Sequence, residues 1–290
     1  MIKFGLARLG ILDKFDVLEF QRIGIPEPNP RSQLRSTTYL RIFAESPSEA
    51  INLGLASLLG EFAMQHYSGF HATSDHRTAI PKPYISYYPA IYPQAGLRTS
   101  INMLQRGQSN KSEDFQTTTV STTPPPHFEH LGKRASYETH NPVSLSTFGA
   151  TTRAPLGDIL LARSGDKGAN ANIGFFIPTA LPSSYAPNSP LYAECWDWLR
   201  TFLTMDKLKE MFAESWDEAF HIERVEFPKI YAVHFVVYGV LGRGVSGSSR
   251  LDSFAKGMGD WLRDVVVDVP VKFLEGRGKG AAPKDQGSKL

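Results

Sequence analysis

Cysteine is nearly absent from the sequence, since Cys195 is the single one among 290 residues. No disulfide can form within the chain, which is typical of an intracellular protein. Cys195 lies in an aromatic-rich helical pattern, where a lone cysteine is more often a buried apolar side chain than a nucleophile. An excess of charge is missing as well, because 31 basic residues oppose 29 acidic ones. We therefore expect no nucleic-acid partner.

Long apolar runs and familiar cofactor motifs are also missing. No apolar run reaches the roughly 18 to 20 residues that span a bilayer, and the first residues do not read as a signal peptide, so we expect no membrane partner. The sequence has no P-loop, dinucleotide fingerprint, Gly-x-Ser-x-Gly elbow or zinc signature, and we expect no resident cofactor. His66, His71 and His76 are five residues apart. Metal pairs on a helix need three or four, so we expect no metal site.

The first hundred residues contain a β-β-α pattern. Alternating apolar residues predict strands over 15–25 and 37–44, with a proline-rich connection between them. Ser46 is the expected N-cap of the helix that follows. After this unit, residues 105–153 are rich in Ser, Thr and Pro, and we interpret them as an exposed, poorly ordered linker. The predicted boundaries are 1–104 for the first domain and 105–153 for the linker.

Strand and helix patterns return in residues 154–275. Strands are predicted over 156–163, 171–177, 219–227, 230–241 and 269–273, and helices over 191–215 and from Ser253 to Val265. This order favours an α+β fold in which helices cover one face of a largely antiparallel sheet.

Polar side chains are concentrated in the segment between the first two of these strands. Its glycines permit close backbone approach, and its charged and amide groups suit a carboxylate or phosphate ligand. The alternative is a hairpin turn whose Asp and Asn bond to their own backbone, and we slightly favour the site. The candidates are Arg163, Ser164, Gly165, Asp166, Lys167, Gly168, Asn170 and Asn172.

A second glycine- and serine-rich segment, 241–252, precedes the predicted helix from Ser253. Such a loop before a helix N-terminus is a natural anion cradle. The alternative is a flexible connection with Asp252 as a simple N-cap. The candidate ligand-binding residues are Gly242, Gly244, Ser246, Arg250, Asp252 and Lys256.

Residues 276–290 have no large apolar residue before the last leucine, so we expect a flexible tail. The tail ends in Ser288-Lys289-Leu290, the tripeptide form that a peroxisomal import receptor binds. We therefore expect delivery to the peroxisome matrix, with that receptor as a partner.

The run ARSGDKGANANIGF and the later run GRGVSGSSRLDSFAKGMGDWL resemble the C-terminal domain of the acyclic terpene utilisation family AtuA. The resemblance rests on Arg163–Gly168, Asn172–Gly174 and Gly242–Lys256. It implies a ferredoxin-like C-terminal domain. The first hundred residues resemble the end of the family's larger α/β N-terminal domain, which implies a β-β-α remnant of that domain and a partner that would supply the rest.

The resemblance implies an enzyme or enzyme subunit acting on an acyl-CoA or small branched carboxylic acid, by hydratase, isomerase or lyase chemistry. Asp166 would be a general base or orienting group, and Arg163 and Lys167 would be partners of a carboxylate or oxyanion. A CoA thioester would be a substrate rather than a cofactor. The pathway would be isoprenoid-acid catabolism or the biosynthesis of a fatty-acid- or polyketide-derived secondary metabolite such as a toxin. The alternative is a truncated, non-catalytic accessory protein that binds a ligand or partner subunit.

Overall fold

The structure is a computed structural model that describes residues 1–62, 77–88, 90–107, 115–123, 127, 129–130, 132–178 and 189–276. The chain divides into two compact units. The first comprises Met1–Ser86 and Ser246–Ser253, and the second comprises Tyr87–Val245 and Phe254–Leu290.

The first unit is a two-stranded antiparallel sheet accompanied by helices. Its strands are β1 (Val17–Ile23) and β2 (Tyr39–Glu45), and its helices are α1 (Ile2–Arg8), α2 (Gln33–Ser36) and α3 (Glu49–Glu61). Leu6, Leu55 and Leu58 form its small core. A β-carbon on Gly5 would lie 2.4 Å from Cδ1 of Leu58, so the glycine allows α1 to approach α3 closely.

The β-β-α order predicted for this unit is confirmed, but the predicted start of the helix is wrong. The N-cap of α3 is Ser48 rather than Ser46. The hydroxyl of Ser46 instead donates to the carbonyl of Ser48 at 2.7 Å. Ser46 therefore uses its side chain in the turn that leads into the helix.

Residues predicted to form a linker contain more structure than expected. In the second unit, β3 (Ser100–Arg106) pairs with β4 (Phe115–Ser121), and all fourteen positions of this hairpin are exposed. Phe148 is buried in the core, and the amide of Tyr137 donates to the carbonyl of Arg224 at 3.0 Å. The described residues 132–153 thus contact the packed structure at several points. The Ser/Thr/Pro-rich composition did not reveal these contacts, because a few apolar side chains are enough to hold a polar segment against a core.

A four-stranded antiparallel sheet forms the centre of the second unit. Its strand order is β6 (Leu161–Lys167), β7 (Asn170–Phe176), β9 (Ala232–Tyr238) and β8 (His221–Phe227). A separate pair joins β5 (Thr151–Pro155) to β10 (Val266–Pro270). The mixed α+β fold and the antiparallel sheet agree with the prediction.

Helices cover one face of this sheet. They are α4 (Pro190–Phe202), α5 (Met205–Phe212), α6 (Met258–Arg263) and α7 (Val271–Gly276). Ser189 and Thr204 cap the first two through hydrogen bonds from the backbone amides of Tyr192 and Lys207. Alternate residues of the central strands pack into the apolar core with these helices, and we call this side the core face: Ala171, Ile173 and Phe175 of β7, and Val233, Phe235 and Val237 of β9.

The helix predicted from Ser253 to Val265 is much shorter than expected. Helix α6 begins at Met258 with Gly257 as its N-cap, so Asp252 does not cap it. Ala255 is buried and has a left-handed backbone, with φ of 51°, which an α-helix cannot accommodate. The last predicted strand is also displaced, because Val271 already begins α7.

Candidate functional site

The first polar segment is a tight β-hairpin rather than a loop. Strands β6 and β7 pair from Leu161↔Phe176 to Lys167↔Asn170, which leaves Gly168 and Ala169 as the turn. Gly168 has φ of +67°, the left-handed conformation that glycine adopts readily. The chemistry-bearing residues of this segment therefore lie on a fixed strand ladder, which sets the direction of each side chain.

Strand alternation divides these residues between the two faces of the sheet. Gly165 lies opposite Asn172, and Ser164 lies opposite the buried Ile173. We call the side opposite to the core face the open face. Its residues on the three strands β6, β7 and β9 include Arg163, Gly165, Lys167, Asn170, Asn172, Gly174, His234 and Tyr238.

Two predicted site residues lie on the core face instead. The hydroxyl of Ser164 donates to the carbonyl of Ala255 at 2.5 Å and accepts from the amide of Gly259 at 2.8 Å. Ser164 thus holds β6 to the segment that leads into α6. Asp166 lies opposite the buried Ala171, and its carboxylate is 3.9 Å from the ammonium of Lys256. This position favours the orienting role predicted for Asp166 over the role of a base on the open face.

Because Gly165 has no side chain, the ammonium group of Lys256 and the amide group of Asn172 can lie above it. A β-carbon there would lie 3.0 Å from Nζ of Lys256 and 3.6 Å from Oδ1 of Asn172. Oδ1 of Asn172 is buried and has no hydrogen-bond partner among the described residues. Buried polar atoms are rarely left unpaired. This oxygen is thus placed to accept a hydrogen bond from a ligand.

The cationic side chains predicted for this site collect on the same part of the sheet. Arg163 and Lys167 point to the open face and are exposed, and Lys256 reaches the space over Gly165. Within the described residues, neither Arg163 nor Lys167 forms an ion pair with a carboxylate. We call Arg163, Lys167, Lys256 and Asn172 the cationic cluster. Its three cations suit a carboxylate, a phosphate or an oxygen that gains negative charge, and Oδ1 of Asn172 suits a donor on the same ligand.

His234 lies beside this cluster, although the sequence did not single it out as a site residue. Nδ2 of Asn172 approaches Nε2 of His234 at 3.4 Å, and the ring of Phe227 packs edge-on to the imidazole. Burial lowers the pKa of His234, and the nearby charges of Arg134 and Lys167 lower it further. The available signal was alternation with Val233 and Phe235, which places His234 away from the core. The strand pairing that brings it to Asn172 could not be read from the sequence.

The β8 side of the open face carries a paired network instead of a cationic one. Nε of Arg134 lies 3.1 Å from Oε2 of Glu223, and a guanidinium N–H of Arg134 donates to the hydroxyl of Tyr238 at 3.3 Å. Burial and the neighbouring Glu223 raise the pKa of Tyr238, so its hydroxyl stays protonated. The network neutralises its own charges, and the positive charge of the open face is therefore concentrated towards β6.

Part of the second predicted segment meets the hairpin turn. The amide of Leu241 donates to the carbonyl of Ala169 at 2.9 Å, and the amide of Gly239 donates to Oδ1 of Asn170 at 3.0 Å. A β-carbon on Gly244 would lie 3.3 Å from the carbonyl of Gly168. Asn170 and Gly244 thus serve the fold by joining the two turns, and Gly242 has the positive φ that a turn requires.

The rest of that segment belongs to the first unit. Ser246, Arg250 and Asp252 fall within Ser246–Ser253, whereas the cationic cluster lies in the second unit. The hydroxyl of Ser249 donates to Glu19 at 2.9 Å, and a guanidinium N–H of Arg41 donates to the carbonyl of Ser249 at 2.8 Å. The anion cradle expected at a helix N-terminus is not formed, because α6 begins later and has only six residues.

Some predicted features lie outside the described residues. They are the histidines 66, 71 and 76 and the targeting tripeptide Ser288-Lys289-Leu290. Across the part of the chain that the structure describes, no three His, Cys, Asp or Glu side chains are grouped so as to hold a metal ion. Over the same residues, the helices are too short or too polar to cross a membrane.

The fold and the hairpin together define a ferredoxin-like domain of one family. Residues 154–268 match the model of the AtuA ferredoxin-like domain, and residues 2–103 match the model of the acyclic terpene utilisation family protein AtuA. The chain belongs to the AtuA family, as the motifs around Arg163 and Gly242 predicted. Comparisons with curated proteins and with solved structures found no match.

Proposed function

We propose that the protein is an enzyme or enzyme subunit that acts on an acyl-CoA or a small branched carboxylic acid. The observation that carries the proposal is the cationic cluster around Gly165. Lys256 and Asn172 lie over Gly165, and Arg163 and Lys167 lie on the same face. The three cations would donate to a carboxylate or an acyl carbonyl, and Oδ1 of Asn172 would accept from an N–H or O–H of the same ligand. The family's association with acyclic terpene utilisation supports a branched, isoprenoid-type acyl group.

The reaction class that suits this cluster is hydration, isomerisation or lyase chemistry next to an acyl carbonyl. Negative charge develops on the acyl oxygen in each of these reactions, and cations near that oxygen stabilise it. Such chemistry would serve either isoprenoid-acid catabolism or the assembly of a fatty-acid- or polyketide-derived secondary metabolite. The cluster has the same role in both pathways.

Ligand-dependent thermal stabilisation tests the proposal. The purified chain is heated with branched acyl-CoAs, straight-chain acyl-CoAs, free branched acids and free CoA. Acyl ligands should raise the melting temperature, because binding to the folded state alone stabilises it by mass action. Lys167→Ala should weaken the shift. Lys229→Ala is the matched control, since Lys229 is an exposed lysine between β8 and β9, at the opposite end of the sheet.

No shift with any acyl ligand at millimolar concentration would contradict the proposal. Equal shifts for free CoA and for every acyl-CoA would contradict recognition of the acyl group. A reduced shift in Lys229→Ala, equal to that in Lys167→Ala, would show that the effect depends on overall charge and not on the cluster.

A second function, ligand or subunit binding without catalysis, is favoured by the structural use of several motif residues. The side chains of Ser164 and Asn170 form hydrogen bonds to the backbone that stabilise the domain. Asp166 lies on the core face and is not placed as a base on the open face. An accessory protein would show thermal stabilisation by acyl ligands together with unchanged ligand after long incubation, whereas an enzyme would convert the ligand and lose turnover in Lys167→Ala.

We also propose that Ser288-Lys289-Leu290 delivers the protein to the peroxisome matrix through the tripeptide import receptor. Acyl-CoA chemistry in that compartment is consistent with the proposed substrate class. A fluorescent protein fused before Met1 should label peroxisomes, and deletion of Leu290 should return the label to the cytosol. Import that persists after the deletion would contradict this role of the tripeptide.

A further inference from the structure

His234 and Asn172 form a side-chain pair in the middle of the sheet that no motif of the sequence accounts for. His234 lies on the central strand β9, opposite Gly174 on one side and Val225 on the other. A β-carbon on Gly174 would be 3.7 Å from Cδ2 of the imidazole. Since Gly174 has no side chain, no side chain of β7 lies between His234 and the position of Arg163 on β6.

Asn172 contacts the imidazole of His234 through its amide nitrogen. In the tautomer whose ring proton is on Nδ1, Nδ2 of Asn172 donates to Nε2 at 3.4 Å, and Nε2 carries the ring lone pair. At 3.4 Å the hydrogen bond is long, and it orients the ring without engaging the lone pair strongly. Oδ1 of the same amide, buried and unpaired, faces the space over Gly165. One asparagine thus connects the imidazole to the cationic cluster.

The charged and titratable groups on the open face keep this imidazole neutral. Burial and the positive charges of Arg134 and Lys167 hold the pKa of His234 below its ordinary value. A histidine that is neutral near pH 7 and lies next to cations is suited to act as a base. The groups that share the face are Arg163 and Lys167 of β6, His221 and Glu223 of β8, Tyr238 of β9, and Arg134 and Lys256.

We propose that His234 is the proton-transfer residue of the cationic cluster and that Asn172 is its positioning residue. This inference rests on the proposed function. When the ligand displaces the long contact with Asn172, the lone pair of Nε2 takes a proton from the carbon next to the acyl carbonyl. The C–H electron pair forms the C=C bond of an enolate, and the carbonyl π pair moves to the oxygen, where Lys167 and Lys256 stabilise the charge. The imidazolium then returns the proton to carbon, so no oxidant, reductant or further reactant is needed.

Hydrogen–deuterium exchange at carbon tests this step directly. The protein is incubated with a branched acyl-CoA in D2O, and deuterium next to the carbonyl is measured by mass spectrometry. The wild-type chain should catalyse the exchange. His234→Gln should lower its rate by about 100-fold or more, the usual contribution of a general base. The variant should keep the ligand-induced thermal shift, because the cationic cluster is intact.

Two further measurements separate proton transfer from a structural role. His221→Gln alters an exposed histidine of the edge strand β8 and should leave the exchange rate unchanged. In the wild-type chain, the exchange rate should rise with pH as His234 loses its proton. The rate should reach its plateau at a lower pH than it would for a histidine of ordinary pKa. A structural role for His234 would not produce this pH profile.

The outcomes are distinct. Thermal stabilisation by acyl ligands without exchange at carbon, or equal exchange in the wild-type and His234→Gln chains, would overturn this inference and leave the proposed function standing. Absence of stabilisation by every acyl-CoA and branched acid would overturn the proposed function and this inference together.

Discussion

Both faces of the four-stranded sheet carry buried polar side chains. The two faces differ in the hydrogen-bond partners that these side chains have within the protein. On the core face, Arg224 of β8 has no exposed surface and donates to the carbonyls of Leu203, Tyr137 and Arg200 at 2.7, 3.0 and 2.7 Å. On the open face, Oδ1 of Asn172 has no hydrogen-bond partner among the described residues. The donors of Arg224 are used within the fold, whereas the amide oxygen of Asn172 is available to a donor on a ligand.

The carboxylates around Arg224 strengthen this contrast. Oε1 of Glu226 lies 2.9 Å and Oε2 of Glu138 lies 3.5 Å from the guanidinium, as ion pairs rather than as aligned hydrogen bonds. Tyr137 and Glu138 belong to the segment that runs along the edge of β8, so Arg224 fastens that segment to the sheet. On the core face, the charged side chains around Arg224 therefore stabilise the fold. On the open face, Arg163 and Lys167 are exposed to solvent.

Replacement of Arg224 should give the largest loss of stability. Arg224→Met removes the cation and leaves Glu226 and three backbone carbonyls without their donor, which typically costs about 3 to 5 kcal/mol. Urea unfolding followed by circular dichroism measures the change. Glu226→Gln, which keeps Arg224 and its three carbonyl bonds, is the control and should cost clearly less. A loss below about 1 kcal/mol for Arg224→Met would contradict the role of Arg224 as the polar centre of the core face.

Ser164 lies within the family motif but should behave as a residue of the core face. Ser164→Ala leaves the amide of Gly259 and the carbonyl of Ala255 unpaired, which should cost about 1 to 3 kcal/mol. Ser146→Ala, at an exposed serine, should stay within about 0.5 kcal/mol of the wild type. The acyl-ligand thermal shift of Ser164→Ala should persist. Full stability together with lost ligand binding would instead assign Ser164 to the open face.

The sequence predicted the order of elements well, because apolar alternation and helical spacing are local. It predicted the β-β-α unit, the helices around Trp196 and Leu208, and the strands β8 and β9 of the four-stranded sheet. It predicted the wrong start for α6, because the left-handed backbone at Ala255 depends on tertiary packing. The pattern of glycines in 241–252 could not show that this segment divides between two compact units.

The candidate site was predicted only in part, because the sequence shows residue types directly but does not show which strands pair. The residue types of the hairpin indicated an anion site, and the structure gathers Arg163, Lys167 and Asn172 with Lys256 on one face. Strand register decides which residues share a face, and register depends on pairing between distant segments. Asp166 was therefore predicted as a base or an orienting group, and its face favours only the second role. His234, sixty-two positions from Asn172, was not connected with it.

His234 should give the smallest effect on stability, one that depends on pH. Its pKa is lowered in the folded chain, so on acidification the unfolded chain binds the proton first, and stability falls as the pH drops below about 6.5. The loss continues until the folded-state pKa is passed. His234→Gln lacks this titration, so the wild type should lose stability relative to the variant between about pH 7 and pH 5. Urea unfolding at half-unit pH intervals measures the difference. Lys167→Ala removes one cause of the lowered pKa and should reduce the wild-type loss, whereas parallel stability curves for the wild type and His234→Gln would show that the open face does not hold the imidazole neutral.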